Sequence, residues 1–190
     1  MPRTIPRTVL CSVIFVLLLP AFALAADAGS ANLWLDVPFV AQTKDGCGAA
    51  SIAMVMQYWE KQKGKPASLQ ADPAQILHAL YNQAAHGIYA SAMTGYFQHN
   101  GYRAFAFDAN WSDIELELRH GRPLIVALKP GSGSSLHYVV VAGIDQPGQL
   151  VLVNDPAQRK LLKEDQARFD REWQAAGHWT LLAVPSMSLH

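Results

Sequence analysis

One cysteine stands between two glycines, Gly46-Cys47-Gly48, and is followed by Ile52, Val55, Met56 and Trp59 at the three-and-four spacing of a helix face. A thiol at the head of such a helix meets N–H groups without intrahelical partners and the positive end of the dipole. Both favour the thiolate, which is the nucleophilic form. The plain alternative is a small buried hydrophobe, the commonest state of a free cysteine. The flanking glycines argue against it, because they let a substrate approach the backbone closely.

A thiol nucleophile needs a base, and the base needs a group to orient it. Seven histidines are available. His78 lies in a helix-forming stretch behind Asp72-Pro73, His99 and His120 stand near helix ends, His86 sits in a loop and His190 is terminal, so all five have ordinary structural explanations. His137 differs. It opens "HYVVVAGID", a β-branched run that turns near Gln146-Pro147-Gly148 into a second run, "GQLVLVNDPA". Antiparallel pairing of the two brings the start of the first beside the end of the second, where Asp155 lies. Taken singly, Asp155 reads as the start of a proline turn and His137 as a strand-end residue facing water. His178, in "GHWTLLAV", is the reserve base, with no adequate carboxylate after it.

The elements that must position these residues read as an α+β domain, with helices first and strands gathering late. "DPAQILHALY" is a helix capped by Asp72, and "YASAMTGYFQHNG" a helix closed by Gly101. "YRAFAF" is an alternating strand, "NWSDIELELRHG" a helix capped by Asn110 or Ser112, and "RPLIVALK" a buried strand. "PGSGSS", just before His137, reads as a connector. Its Ser132, Ser134 and Ser135 lack the G-x-S-x-G setting and make a weak rival nucleophile.

Arg3 and Arg7, the apolar run Val9 to Leu19 and the small-x-small Ala23-Leu24-Ala25 have the form of a secretory signal over residues 1–25. The run is short for a membrane span, which takes about 20 residues, although a retained signal would anchor the chain. Cys11 stands at the start of the apolar run, where a lipidated cysteine would follow one. Removal of the signal leaves 190 − 25 = 165 residues, one domain over 26–190. The chain has 15 Lys+Arg and 15 Asp+Glu; without the two signal arginines the balance is 13 − 15 = −2, which recommends no nucleic acid. Cys47 is then alone in an oxidising compartment, where cysteines are usually paired or absent. No CxxC, HExxH or clustered spacing asks for a metal, and no cofactor motif occurs.

"VPFVAQTKDGCGAASIAMVMQYW", "LHYVVVAGID" and "VLVNDPA" together resemble the papain-like cysteine peptidases of the bacteriocin-processing type, which remove double-glycine leaders, and their stand-alone secreted relatives. The resemblance runs from about Val37 to Pro156. It implies a papain-like fold, with the helix bearing the nucleophile packed on an antiparallel sheet. It also implies Cys47 as nucleophile, His137 as general base, Asp155 as its orienting residue, and an oxyanion hole made by the Gln42 amide and the Cys47 N–H. Two features depart from the family: Gly46 stands where an acidic residue often precedes the cysteine, and the loop from Gln42 to Cys47 is about one residue shorter. The family is commonly fused to a transporter, yet no G-x-x-x-x-G-K-[ST] loop or further span occurs here.

The expected activity is hydrolysis of a peptide or protein after small residues such as Gly-Gly, in the periplasm or outside the cell, with separate export machinery as a further partner. An acyl transferase of transglutaminase type uses the same Cys, His, Asp order and differs in its acceptor. A non-catalytic peptide-binding module on a decayed peptidase fold is the third reading, and the intact trio counts against it.

Overall fold

The computed structural model describes Met1 and residues 32–131 and 135–186. The signal reading of 1–25 therefore lies outside the described residues apart from Met1, as do Ser132, Ser134 and His190. The sheet is antiparallel throughout. Its central strand, called β4 in chain order, is His137–Asp145; β3 (Leu124–Leu128) flanks it on one side and β5 (Leu150–Asn154) on the other. Beyond β3 lie β7 (Trp179–Pro185) and the edge strand β2 (Tyr102–Asp108), and beyond β5 the edge strand β6 (Leu162–Asp165). A two-residue strand β1 (Leu33–Trp34) pairs with β4 at Ile144 and Gly143, where the β3 ladder has ended.

The unbroken apolar runs of β3 and β4 follow from helices on both faces. Ile125, Ala127, Tyr138, Val140 and Ala142 face a core built on helix α1 (Cys47–Gln62). Their alternates Leu124, Val126, Leu128, Val139 and Val141 face a second core, completed by Phe169 and Trp173 of α5 (Gln166–Gln174). The first core is closed by α2 (Pro73–Leu80) and α3 (Ala90–His99), and α4 (Trp111–Arg119) packs on the second.

Helix α1 differs from the one-faced amphipathic helix that Ile52, Val55, Met56 and Trp59 predict. Ala49, Ala50, Ser51, Ala53 and Met54 are buried as well, because α2 and α3 cover the side turned away from the sheet. A helix enclosed on nearly every side is fixed in rotation and height by its few polar contacts. Ser51 donates its hydroxyl to the Tyr138 carbonyl at 3.2 Å, Tyr58 to the Gly121 carbonyl at 2.7 Å, and the Trp59 indole N–H to the Ala183 carbonyl at 2.9 Å. The expected caps are present. Asp72 accepts the Ala74 and Gln75 N–H groups, and Asn110 forms a capping box with Asp113, which settles the choice between Asn110 and Ser112.

β4 carries an irregularity between Val141 and Gly143, where β1 crosses closely. A Cβ at Gly143 would lie 2.9 Å from the Trp34 Cα, and backbone there has no room to yield. Gly143→Val should therefore destabilise the fold by about 1–3 kcal/mol, the usual cost of forcing extra carbon into a packed site. Thermal unfolding checks this, and an unchanged midpoint would contradict the close crossing of β1.

Candidate active site

The chain enters α1 through a tight turn. The Gly46 N–H donates to the Thr43 carbonyl at 3.0 Å, and Asp45 takes a left-handed conformation with φ 58°. A Cβ at Gly46 would sit 3.0 Å from Thr43 Oγ1 and 3.1 Å from the Thr43 carbonyl oxygen. This accounts for the glycine in place of the acidic residue often found there: the shortened loop folds back on itself at that position. No side chain caps α1, so its first N–H groups are left to the site. A Cβ on Gly48 would meet the Ile88 Cβ at 3.2 Å. Both glycines therefore stand where the chain packs tightly on itself.

The hairpin brings His137 to Asp155. Val140 pairs with Asn154, so a continued ladder would set Asp155 opposite Val139 and diagonal to His137. His137 Nε2 lies 2.8 Å from Asp155 Oδ1, and the ring lines the same cleft as the Cys47 thiol, near enough for each to bias the other's charge. Asp155 is 5% exposed and held independently of the histidine: Oδ1 also accepts the Ala157 N–H at 2.8 Å, and Oδ2 accepts Gln158 Nε2 at 2.6 Å.

The three groups set one another's protonation. Burial pushes the Cys47 thiol up, but the His137 hydrogen bond, the Tyr138 and Gly48 backbone N–H groups and the imidazolium charge together bring it below its ordinary value. Burial would depress His137, yet the Asp155 carboxylate and the Cys47 sulfur outweigh it and raise the imidazole to about 9. Burial likewise lifts Asp155, and its bonds to His137, Ala157 and Gln158 return it below the usual carboxylate value. All three directions favour a thiolate beside an imidazolium beside a carboxylate.

Gln42 reaches the same place. Its N–H donates to the Pro156 carbonyl at 2.9 Å, next to Asp155, and its side chain lines a cleft of about 420 Å³ together with Cys47 and His137. Gln42 Oε1 is buried without a hydrogen-bond partner in the protein. An unmet acceptor of this kind costs about 1–3 kcal/mol, so packing alone does not explain the residue.

The opposite wall had no signal in the sequence. Asn82 exchanges backbone hydrogen bonds with Gly87 and accepts the Ala84 and Ala85 N–H groups on Oδ1, closing a compact loop between α2 and α3. That loop presents His86, Ile88 and Tyr89 to the cleft, while Asp45 and Leu136 complete its rim. Asn-x₄-Gly is the one local hint of such a loop, and its destination depends on tertiary packing. A wider groove of about 550 Å³ between the end of β3 and α5, lined by Lys129, Arg168, Arg171 and Glu172, holds no nucleophile.

His178 lies elsewhere. It does have a carboxylate nearby, Asp170 Oδ1 at 3.7 Å from Nε2, supplied by the preceding α5 and not by any residue after it. Its ring packs edge-on to Trp173 at 4.5 Å between centroids, and it is absent from the cleft that holds Cys47. Among the described residues no three His, Cys, Asp or Glu side chains gather as a metal ion would need.

The model of the Peptidase_C39 like family matches residues 34–180. The chain belongs to that family. As a Peptidase C39-like protein it shares its fold with solved peptidase domains. A double-glycine-motif protease from an AMS/PCAT transporter, solved in complex with a leader peptide, matches with a TM-score of 0.62 at 22% identity, over 80% of this chain and 94% of its own. A structure described as a C39-like peptidase from Bacillus anthracis gives 0.65 at 17% identity, over 83% and 100%. The peptidase domain of Streptococcus ComA, a bi-functional ABC transporter, gives 0.61 at 21%, over 77% and 97%. At these identities the likeness is one of fold, and it is the papain-like α+β fold expected. No curated protein matches the chain. No helix among the described residues is long and apolar enough to cross a membrane.

The electrostatics of this C39-like site make a direct prediction. A depressed thiol pKa keeps thiolate present at mildly acidic pH, so iodoacetamide should alkylate Cys47 at pH ~6 well above the rate of an ordinary thiol, whose pKa is about 8.5. His137→Ala should return the alkylation profile toward that ordinary value. An unchanged profile would contradict the pairing.

Proposed function

We propose that this protein is a cysteine peptidase that cleaves peptide bonds through Cys47, His137 and Asp155. One observation carries the reading: the His137 imidazole is bonded to Asp155 at 2.8 Å and lines one open cleft with Cys47 at the head of α1. The thiolate attacks the substrate carbonyl carbon, forming a C–S bond and moving charge onto the carbonyl oxygen. The Cys47 N–H and the Gln42 amide receive that charge; each donor of this kind is typically worth about 2.7–4 kcal/mol. The imidazolium of His137 gives a proton to the leaving amine as the C–N bond breaks. Water, deprotonated by the now neutral His137, then cleaves the thioester and restores the ion pair. Asp155 keeps the ring oriented and stabilises its charge throughout.

Substrate choice follows from the walls. Ile88 presses against the start of α1, where a Cβ on Gly48 would lie 3.2 Å from the Ile88 Cβ, and Leu136 and Tyr89 stand exposed at the rim. Crowding of this kind beside the thiol favours small residues before the scissile bond, such as Gly-Gly. The double-glycine-motif protease with its leader peptide supports the same choice. The signal-like segment 1–25 supports action on exported peptides outside the cytoplasm.

Peptides that differ only in Gly-Gly, Ala-Ala or Leu-Leu before the bond test the reading. Gly-Gly should be cleaved fastest, Cys47→Ala and His137→Ala should abolish turnover, and His178→Ala should retain most of it. Leu-Leu cleaved as fast as Gly-Gly would overturn the preference for small residues. Acylation of an added amine in place of hydrolysis would establish the transferase instead.

The pH profile is a separate check. A raised imidazole pKa means that His137 holds its proton up to about 9, so kcat/KM should fall as pH rises through that value. It should also fall in acid, as Cys47 is protonated. An alkaline limb near pH ~6.5, the ordinary histidine value, would contradict the raised imidazole.

A further inference from the structure

Asn154 ends β5 and is fully buried, and no step of peptide hydrolysis uses it. Its amide is nonetheless engaged at both ends. Nδ2 donates to the Val37 carbonyl at 3.2 Å and to the Pro38 carbonyl at 3.4 Å, while Oδ1 accepts the Leu161 N–H at 2.9 Å. Two carbonyls on one side and an N–H on the other fix which way the amide points, since the reverse orientation would set like against like.

The stretch reached by Nδ2 is the one that carries Gln42. Residues 37–43 belong to no helix or strand; before them the Leu35 N–H donates to the Ala142 carbonyl of β4 at 2.7 Å. Two ties connect residues 37–42 to the hairpin: the Asn154 side chain at Val37 and Pro38, and the Gln42 N–H at the Pro156 carbonyl. Both anchors flank Asp155. The neighbouring carboxylate has its own supports in His137, the Ala157 N–H and Gln158, together with its backbone N–H to the Arg159 carbonyl. Loss of the Asn154 donors would therefore be felt along residues 37–42 and not at the imidazole.

We propose that Asn154 is a positioning residue for the oxyanion site: its buried amide straps residues 37–38 to the hairpin and so sets the Gln42 side chain against Cys47. The proposal rests on the peptidase reading above. It places the oxyanion donor and the orienting carboxylate on one rigid support, so that both keep their places relative to the thiol.

The test is a mutant cycle on the full chain with the Gly-Gly peptide. Asn154→Leu, with the same branched skeleton as asparagine, removes both donors without setting a charge beside Asp155. It should lower kcat about tenfold or more, a part of the 10²–10³ that one oxyanion donor supplies, while KM changes less than about twofold. The iodoacetamide profile of Cys47 should stay as in the wild type, because the ion pair is not touched. Introduced into Gln42→Ala, the same substitution should cost less than about twofold more, since the group it positions is gone. If Asn154→Leu does not fold, Asn154→Ser, which leaves a single hydroxyl donor in a smaller space, carries the same cycle. An equal loss in the presence and absence of Gln42, or a shifted alkylation profile, would overturn the proposal while leaving the peptidase intact. A wild-type protein that turns over no peptide would overturn the peptidase reading, and the proposal with it.

Discussion

A thiol and an imidazole that share a proton must be held side by side, and here that proximity joins the first residue of one helix to the first residue of one strand. Cys47 begins α1 and His137 begins β4, so neither is fixed by a helical or sheet neighbour on its outer side. The remainder of the fold supplies what the termini lack. Ser51, one turn into α1, is bonded to Tyr138, one residue into β4, and this short bridge sets the two starts side by side. Cores on both faces of the sheet then prevent α1 and β4 from sliding past each other.

The same arrangement explains why charge can reside in a half-buried place. An isolated carboxylate as enclosed as Asp155 would take up a proton before it paid the cost of desolvation. Three hydrogen-bond donors, one of them the imidazole, keep it ionised. That negative charge and the sulfur hold the proton on His137, and the imidazolium in turn favours the thiolate. Each pKa is therefore a property of the trio, and removal of any member moves the other two.

Much of this was legible in the sequence wherever the signal was local or the pairing was dictated by one turn. The β4–β5 hairpin is announced by two β-branched runs around Gln146-Pro147-Gly148, and its register alone carries Asp155 toward His137. Asp72, Asn110 and Gly101 mark helix ends with their own side chains or, at Gly101, with a φ of 82°. The burial of Ala49, Ala50 and Ala53 was less visible, since alanine suits an exposed helix face as well as a crowded one. The far wall was not legible: His86 and Ile88 reach the cleft because a loop closes on Asn82 and Gly87, and their neighbours there are distant in sequence. Asn154 was hidden for a related reason, because in "VNDP" a buried clamp and an ordinary turn residue are spelled alike. His178 found its carboxylate in Asp170, upstream on α5, where a search along the following strand does not look.

The central claim is that His137 is an imidazolium at neutral pH because it stands between a carboxylate and a thiolate. Nitrogen NMR of the histidine side chains, titrated from pH ~5 to ~10, observes this directly, with His137→Gln to assign the resonance. The account predicts that both ring nitrogens stay protonated through neutrality, that the midpoint falls at about 9, and that Cys47→Ser moves it down. A neutral ring at pH 7 with a midpoint near ~6.5, unaffected by Cys47→Ser, would contradict it.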